Sequence, residues 1–384
     1  MAPLPILYVN HVSQMSGGER SLLDLMQGLD RRRFTPILAA PPGGPLFDEA
    51  AQADIACRSI DLRRFKRTRN PISLGLNALH VARRAKELAA IVQAEDIRLI
   101  HSNSDIAQIY AGRAARMAGC SVVWHSRDLT DLGVLGPRMA EHADRVVAIS
   151  RTVEARLRRY VKPASKLVQI YNGIDTDAFR PDSADRAAVR AELGVRADAF
   201  FCGMIAQFAP WKKHRLFLQA AAVVATYRPD AHFLMIGDDQ FHDHPTYRYT
   251  LDRDVRALRL GDRVIFAGYR RDVPRILRAL DVVIHPPDRE PLGRAVMEAM
   301  ATAVPVIAIN RAGPAEIIRN DVDGYLIEPN RADVMAEKAI AMANDADLRL
   351  KLGTSARERM LENYDLRRQV KTVEDLYGEL CGSR

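Results

Sequence analysis

Short apolar runs alternate with segments in which apolar residues recur every three or four positions. In the first half, such runs predict buried strands at residues 4–9, 34–40, 55–60, 97–100, 121–124, 145–149 and 167–170. The second half repeats the pattern, with strands predicted at 200–206, 233–237, 264–268, 282–284, 304–309 and 325–327. Amphipathic helices are predicted between most of these strands. This alternation is typical of a parallel, doubly wound sheet, so we predict an α/β fold that contains two such sheets.

A turn between the two series of strands marks a domain boundary. The sequence N-G-I-D at residues 172–175 contains residues that favour tight turns. We therefore predict a first domain over residues 1–173 and a second over residues 174–363. The pattern of apolar residues over 364–384 predicts an amphipathic helix that packs back toward the first domain. Two doubly wound domains that face each other would leave a cleft lined by the carboxyl ends of both sheets.

The composition is that of a soluble globular protein, with 48% hydrophobic and 27% charged residues. No apolar run approaches the roughly 20 residues of a membrane span, and the first residues form a predicted strand without a basic leader. The four cysteines are far apart and form no CxxC motif, which suits a reducing compartment. We expect a cytoplasmic protein, either free or peripheral at the inner face of the membrane.

The net charge of +8 predicts attraction to anions such as nucleic acid, an anionic membrane or a phosphorylated substrate. The densest basic run, R-R-F-K-R-T-R, lies between Arg63 and Arg69 in a predicted loop. Its functional interpretation is contact with an anionic acceptor or a membrane surface. The alternative is a solvated loop on an Arg-rich surface, and charge alone does not choose between them.

Two glycines stand at the predicted start of the first helix. Ser16 and Glu19 have the spacing of a capping box, which places Gly17 and Gly18 where backbone amides can bind an anion. A plain tight turn is the alternative. The chain contains neither GxGxxG nor GxxxxGK[ST], which argues against dinucleotide binding and P-loop chemistry.

Polar residues follow several predicted strands at their carboxyl ends, where open parallel sheets bind ligands. His125 follows one such strand, and Lys212 lies in the loop A-Q-F-A-P-W-K-K-H after another. Lysine serves as a point charge for phosphate, so this loop suits a diphosphate. His242 and His244 are the histidines that could suggest a metal, but no metal site is predicted.

The stretch P-P-D-R-E-P-L-G-R-A-V-M-E-A-M-A-T-A, residues 286–303, follows another apolar strand. We predict that Pro291 lies in the first turn of a helix, with Glu290 just outside it and Glu298 two turns inside. A carboxylate beside free backbone amides makes a plausible polyol and phosphate site. The alternative is an ordinary strand-loop-helix unit with surface glutamates.

These motifs together resemble the retaining, nucleotide-sugar-dependent glycosyltransferases of the glycogen-synthase-like and mannosyltransferase-like superfamily, also called glycosyl transferases group 1. The resemblance covers nearly the whole chain. It rests on S-G-G-E, Y-N-G-I-D, A-Q-F-A-P-W-K-K-H, F-A-G-Y-R-R-D-V, and above all E-P-L-G-R-A-V-M-E-A-M-A followed by P-V-I-A and A-G-P-A-E-I-I. It implies the GT-B fold, in which two Rossmann-like domains face each other, with a donor site in the second domain and an acceptor site in the first.

The resemblance also implies roles for individual residues of the second domain. Glu290 would contact hydroxyls of the donor sugar, Glu298 would hold the ribose, and Lys212 would neutralise the departing diphosphate. Backbone amides for the sugar and diphosphate would come from Leu292, Gly293 and Arg294. Arg270 would lie in the loop whose backbone reads the base.

In the first domain, the resemblance implies that Gly17 and Gly18 supply amides and that His125 lies near the donor sugar. The chain departs from the family pattern at two positions. Gln207 stands where an arginine usually pairs with the lysine against the diphosphate, so either Lys213 or a nearby arginine replaces it, or the donor binds more weakly. Ala303 stands where a glycine is usual, at a left-handed helix end.

We therefore predict a retaining hexosyltransferase that uses a UDP- or GDP-linked sugar and a hydroxyl acceptor, in cell-surface polysaccharide or glycolipid assembly. The basic run favours an anionic or lipid-linked acceptor. We expect no cofactor, no obligatory metal and no nucleic-acid partner. The phosphate oxygen itself is expected to accept the acceptor's proton.

Three other functions are alternatives to this one. Hydrolysis by the two glutamates is disfavoured, because eight residues of helix rise about 12 Å, whereas glycosidase carboxyl groups lie roughly 5–9.5 Å apart. A nucleotide-sugar epimerase or hydrolase of the same fold remains an alternative. The other alternative is a non-catalytic nucleotide-sugar-binding protein. It is suggested by Gln207, which lacks the positive charge of the usual arginine.

Overall fold

The computed structural model describes residues 2–65 and 70–382. Contacts divide the chain into two units, which are described separately. Unit 1 comprises Met1–Gly173 together with Leu366–Arg384, and unit 2 comprises Ile174–Asp365. The chain thus leaves unit 1 after Gly173 and returns to it at Leu366.

Unit 1 contains a seven-stranded sheet in the order β3-β2-β1-β4-β5-β6-β7, and all neighbouring strands are parallel. Its strands are β1 (Leu4–Val9), β2 (Phe34–Ala40), β3 (Ala56–Ser59), β4 (Leu99–Ser102), β5 (Ser121–Ser126), β6 (Arg145–Ala148) and β7 (Leu167–Gln169). Its helices are α1 (Gly17–Gly28), α2 (Pro45–Gln52), α3 (Pro71–Ala94), α4 (Asp105–Ala118), α5 (Leu135–Glu141), α6 (Arg151–Leu157) and, at the carboxyl end of the chain, α15 (Leu366–Gly382).

Unit 2 contains a six-stranded parallel sheet in the order β10-β9-β8-β11-β12-β13. Its strands are β8 (Phe201–Ile205), β9 (His232–Ile236), β10 (Val264–Gly268), β11 (Val282–His285), β12 (Val306–Ile309) and β13 (Tyr325–Ile327). Its helices are α7 (Ser183–Glu192), α8 (His214–Tyr227), α9 (Tyr247–Ala257), α10 (Val273–Leu277), α11 (Arg294–Ala301), α12 (Ala312–Ile317), α13 (Ala332–Asn344) and α14 (Ala346–Asn363). The predicted α/β class with two doubly wound parallel sheets is confirmed.

Alternate residues of the unit 1 strands enter separate cores on the two faces of the sheet. Ile6 and Tyr8 pack with buried residues of α1, α2 and α15. Leu7 and Val9 pack with buried residues of α3 and α4. This follows from the two-residue period of a strand, since successive side chains point to opposite faces. The terminal helix α15 therefore forms part of one core layer.

Several local boundaries differ from the predicted ones. Pro291 lies in a loop rather than in the first turn of a helix, because α11 begins only at Arg294 after Gly293 in a left-handed conformation with φ of 103°. Glu298 consequently lies one turn inside the helix, not two. The segment after β9 that contains His242 and His244 is irregular only up to Thr246, since α9 begins at Tyr247. Ala303 has φ of 59°, the left-handed conformation expected of it.

The basic run falls only partly within the described residues. Arg63 forms a 3.0 Å ion pair with Asp61, whereas Lys66, Arg67, Thr68 and Arg69 lie outside them. Helix α3 begins immediately afterwards, and the Asn70 side chain caps it by accepting from the backbone amides of Ile72 and Ser73. Across residues 2–65 and 70–382, no helix has both the length and the apolar character needed to cross a membrane.

Because α15 is built into the unit 1 core, we predict that Leu376→Ala lowers the free energy of unfolding by about 2–4 kcal/mol. Leu376 is buried in the same cluster as Tyr8 and the helix α1 leucines. The control is Lys371→Ala on the exposed face of α15, where the ion pair with Asp375 is solvent-exposed and its loss should change stability by less than about 1 kcal/mol. Urea unfolding followed by circular dichroism measures both. Equal effects of the two substitutions would show that α15 is not part of the core.

Candidate active site

The unit 2 site is built where two neighbouring parallel strands end. Strands β8 and β11 pair directly, with Cys202 beside Val282 and Gly203 beside Val283. Their following loops therefore leave the same edge of the sheet. One loop contains Lys212 and the other contains Glu290, and the Lys212 Nζ lies 2.6 Å from the Glu290 Oε2. Residues that are 78 positions apart in the sequence thus form one ion pair.

The environment of this pair keeps the carboxylate charged. Both side chains are only 13% exposed. Burial alone would raise the pKa of Glu290, but the adjacent charge of Lys212, together with His285, holds that pKa well below its usual range. The His285 Nε2 lies 3.4 Å from the Glu290 Oε2. The Lys212 ammonium also lies over the Trp211 ring, 4.0 Å from its centroid. The site therefore offers a carboxylate for hydroxyl groups and an ammonium for an anion.

A second charged pair lies at the start of α11. The Arg294 Nε lies 2.7 Å from the Glu298 Oε1, and both side chains are largely buried. Glu298 is the residue expected to hold a ribose, and its carboxylate is oriented by this contact. The backbone before the helix is held by α12, since the Gly313 amide donates to the Glu290 carbonyl at 2.9 Å. A side chain at Gly313 would be 2.2 Å from the Leu292 Cα, so the two backbones fit only around glycine.

Gln207 is half-buried and lies in a turn, in which its backbone carbonyl accepts a hydrogen bond from the Ala209 amide. Lys213, the alternative source of positive charge, has a left-handed backbone with φ of 57°. Its Nζ lies 2.7 Å from the Asp288 Oδ2 and 3.1 Å from the Asn330 Oδ1. Lys212 and Lys213 therefore have different carboxylate partners, and Asp288 neutralises the second lysine.

Arg270 follows β10, and its guanidinium is bound to neighbouring carboxylates. The Nε and Nη2 each donate to Asp272 at 2.7 Å, and the Nη2 also donates to Glu192 at 2.9 Å. These bonds fix the loop after β10. Such a loop can present its backbone to a ligand, which is the role that the resemblance implied for it.

In unit 1, Gly17 and Gly18 open helix α1 behind the N-cap residue Ser16, and the predicted capping box between Ser16 and Glu19 is present. The Asn103 Nδ2 donates to the Gly18 carbonyl at 3.3 Å. A side chain at Gly18 would make only ordinary contact with Arg127, at 3.6 Å. Space therefore does not require glycine at this position.

His125 is completely buried and is the penultimate residue of strand β5, whereas the sequence placed it just after the strand. Its Nδ1 lies 3.0 Å from the His101 Nε2 and 3.4 Å from the Arg127 Nη2. Its Nε2 is buried and has no hydrogen-bond partner among the described residues. Burial first, and then the charge of Arg127, hold the pKa of His125 well below its ordinary value. His125 is thus a neutral imidazole with one unsatisfied nitrogen.

Several polar residues beside His125 were not predicted as site residues. Arg127 donates through Nε to the Asn103 Oδ1 and through Nη1 to the Asn172 Oδ1, both at 2.7 Å. The Asn103 Nδ2 donates to the Asn10 Oδ1 at 3.0 Å. The available signal is that a polar residue directly follows each of β1, β4 and β5, namely Asn10, Asn103 and Arg127.

The predicted residues thus form two groups, one in each unit. Unit 1 contains Gly17, Gly18 and His125. Unit 2 contains Gln207, Lys212, Arg270, Glu290, Leu292, Gly293, Arg294 and Glu298.

Comparison with protein families gives one match in each half of the chain. The model described as "Glycosyl transferases group 1" matches residues 185–359, which include every predicted residue of unit 2. The model described as "Glycosyltransferase Family 4" matches residues 15–178, which include Gly17, Gly18 and His125.

Similar proteins extend over most of the chain. UDP-Gal:alpha-D-GlcNAc-diphosphoundecaprenol alpha-1,3-galactosyltransferase of Escherichia coli is 25% identical, over 97% of this chain and 96% of that protein. N-acetyl-alpha-D-glucosaminyl L-malate synthase of Bacillus anthracis is 28% identical, over 76% of this chain and 77% of its own length. Among solved structures, Anabaena HepE in complex with UDP and glucose has a TM-score of 0.84 at 23% identity, covering 98% of this chain and 99% of that one.

The buried histidines of unit 1 predict a loss of stability in mild acid. Burial and then the charge of Arg127 lower the pKa of His101 to about 3, whereas an unfolded histidine has a pKa of about 6.5. Between these values the unfolded chain binds a proton that the folded chain does not. The free energy of unfolding should therefore fall as the pH drops from about 6.5 toward 3, by about 1.4 kcal/mol per pH unit for each such histidine.

Urea unfolding at a series of pH values between 4.5 and 8 (roughly two units around the unfolded pKa) measures this slope. His101→Gln should reduce this slope by about 1.4 kcal/mol per pH unit, which is the contribution of one bound proton. A slope that is unchanged in the variant would contradict the assignment of a buried neutral imidazole at this position.

Proposed function

Because residues 185–359 match the glycosyl transferases group 1 model and residues 15–178 match the Glycosyltransferase Family 4 model, we propose that this chain transfers a hexose from a UDP-linked donor to a hydroxyl group of an anionic, lipid-linked acceptor. The transfer would retain the anomeric configuration and would serve the assembly of a cell-surface polysaccharide or glycolipid. The donor is a co-substrate, and no further cofactor is proposed.

The Lys212–Glu290 pair is the observation that carries this proposal. In transfer from a nucleotide sugar, the bond between the anomeric carbon and the diphosphate oxygen breaks, and negative charge grows on that oxygen. An ammonium held in a largely buried position stabilises such charge more strongly than one in water. Glu290 is ionised and can accept hydrogen bonds from sugar hydroxyls. Glu298 at the start of α11 would hold the ribose.

The amino-terminal end of α11 would add to this stabilisation. Its first backbone amides have no partner within the helix, and they carry the positive end of the helix dipole. Gly293 turns the chain into the helix, so the amides of Leu292, Gly293 and Arg294 lie beside the two glutamates in sequence. Lys212 and these amides supply the positive charge needed at the leaving group, and we propose that no metal is obligatory.

The choice of UDP follows from the E. coli relative, whose name specifies UDP-Gal as the donor. The acceptor class follows from the names of both relatives. The E. coli protein acts on a diphosphoundecaprenol-linked sugar and the B. anthracis protein forms a glucosaminyl malate, so both acceptors carry negative charge. A net charge of +8 suits such an acceptor. The similarity to the E. coli protein extends over 97% of this chain, and it favours a lipid-linked acceptor.

Retention would follow if the acceptor oxygen attacks from the side that the diphosphate leaves. The acceptor's proton would pass to the departing phosphate oxygen, and the new glycosidic bond would form as the old one breaks. We assign Glu290 no covalent role, and its Oε2 is held by Lys212. The anchored carboxylate orients the sugar instead.

The proposal is tested by incubating the protein with UDP- or GDP-linked hexoses and with a polyprenyl-diphosphate-linked sugar as acceptor. We expect a product only when both donor and acceptor are present, a preference for UDP, and no change of rate with EDTA. Proton NMR of the product at early times should show the donor's anomeric configuration. Release of free sugar regardless of acceptor would favour a hydrolase, and donor binding without turnover would favour a binding protein.

The adjacent lysines provide a matched pair of variants. Lys212→Met should lower kcat/KM by about 10²–10³-fold, as loss of one preorganised charge-stabilising group does. Lys213→Met should lower it by less than about tenfold, because the Lys213 ammonium is bound to Asp288 and Asn330 and not to Glu290. Initial rates at subsaturating donor measure both. If Lys213→Met is the more damaging change, Lys213 takes the place of the arginine absent at position 207, and the assignment of Lys212 is wrong.

A further inference from the structure

Four buried side chains of unit 1 form a continuous row of hydrogen bonds. The Tyr8 and Tyr377 hydroxyls are 2.9 Å apart, and the Tyr377 hydroxyl lies 2.6 Å from the His101 Nδ1. The His101 Nε2 then lies 3.0 Å from the His125 Nδ1. All four residues are 0% exposed. The row runs from the terminal helix α15 through β4 to His125.

The number of protons in this row is fixed by burial. Burial raises the pKa of both phenols, so each hydroxyl keeps its proton. Burial also lowers the pKa of both imidazoles, so each ring carries one proton at neutral pH. A row of two hydroxyls and two neutral imidazoles can be ordered in two directions. In one, His125 donates through Nδ1; in the other, His125 accepts at Nδ1 and carries its proton on Nε2.

Two contacts select the second direction. The Arg127 Nη2 approaches the His125 Nδ1 at 3.4 Å, and a guanidinium can only donate. Nδ1 must therefore be the unprotonated nitrogen. At the other end, the Tyr8 hydroxyl has no acceptor among the described residues except the Tyr377 oxygen. If the row ran toward Tyr8, that buried hydroxyl proton would be left without an acceptor.

We infer that Tyr8, Tyr377 and His101 form a one-way hydrogen-bond chain that fixes His125 in the tautomer with its proton on Nε2. Each group donates to the next: Tyr8 to Tyr377, Tyr377 to His101 and His101 to His125. The buried Nε2 has no partner among the described residues, so its N–H is available to an oxygen of a bound ligand.

If the proposed function holds, on which this role rests, His125 acts on an oxygen of a bound substrate. His125 is a neutral hydrogen-bond donor to a sugar hydroxyl or phosphate oxygen, and it is not the base that takes the acceptor's proton. His101 and Tyr377 are positioning residues, which act through His125. The directed row satisfies both nitrogens of His101 and the Nδ1 of His125, and it leaves only the His125 Nε2–H for a ligand.

The tautomer is measured directly on the full-length chain without substrate. Imidazole ¹⁵N–¹H correlation spectra of histidine-labelled protein distinguish a protonated nitrogen from an unprotonated one. We expect protons on the Nε2 of His125 and of His101, with both Nδ1 nitrogens unprotonated, at neutral pH. His101→Gln assigns the signals by removing one set. A proton on the His125 Nδ1 would overturn the inference, whatever the transfer activity is.

Two tyrosine variants test the direction of the row, and each removes one buried hydroxyl oxygen. Tyr377→Phe removes the donor to the His101 Nδ1, so a fraction of His125 should change tautomer. Tyr8→Phe leaves Tyr377 able to donate, so the His125 tautomer should be unchanged. With the proposed donor and acceptor, Tyr377→Phe should lower kcat by less than the roughly 10²-fold that loss of a whole preorganised donor costs, because only a fraction of His125 changes tautomer.

The outcomes separate this inference from the proposed function. An unaltered ¹⁵N spectrum of His125 in folded Tyr377→Phe, or equal spectral changes in both variants, would overturn the directed row. Absence of transfer by the wild-type protein would instead contradict the proposed function and leave the tautomer result standing. If Tyr377→Phe does not fold, the wild-type spectrum alone decides.

Discussion

Burying a charged side chain without an opposite charge costs more free energy than a fold can supply, and this constraint shapes both units. In unit 1 the buried Asp105 is bound by Arg156, and in unit 2 the buried Asp281 is bound by Arg190. The Lys212–Glu290 pair satisfies the same requirement at the edge of a sheet. Its two partners belong to separate loops, so their mutual attraction also fixes the loops relative to each other. The charges that a substrate needs are therefore held in place before the substrate arrives.

The buried polar groups of the two units are satisfied in different ways. Unit 2 concentrates full charges, with Lys212, Glu290, Arg294 and Glu298 in two pairs near the start of one helix. In unit 1, Arg127 lies at the histidine end of the buried row, and the row itself consists of neutral rings and hydroxyls ordered by donor and acceptor roles. Charge suits a diphosphate, whereas directed neutral hydrogen bonds suit hydroxyl groups, whose recognition depends on orientation. This division matches the proposed chemistry, in which an anionic leaving group and a polyol are bound at once.

The fold class followed from the sequence because strands buried on both faces produce continuous apolar runs, such as residues 4–9. The local geometry of the candidate site was harder to predict from the sequence. The start of α11 was placed too early, because Pro291 is a common first-turn residue, whereas the observed start depends on the left-handed Gly293. The different partners of Lys212 and Lys213 depend on one positive φ at Lys213. Tyr377 and His101 are 276 residues apart, and no local pattern in a single sequence relates them.

The return of the chain to unit 1 at Leu366 has a consequence for biosynthesis. The first 173 residues emerge from the ribosome without Val370, Val373, Leu376 and Tyr377, which complete one of their core layers. That layer stays uncovered until all of unit 2 has been translated, whereas unit 2 is encoded in one uninterrupted stretch. Although domains generally fold in the order of their synthesis, here the amino-terminal unit begins first and is completed last. Its nascent apolar face is therefore the part of the molecule that a chaperone would have to protect longest.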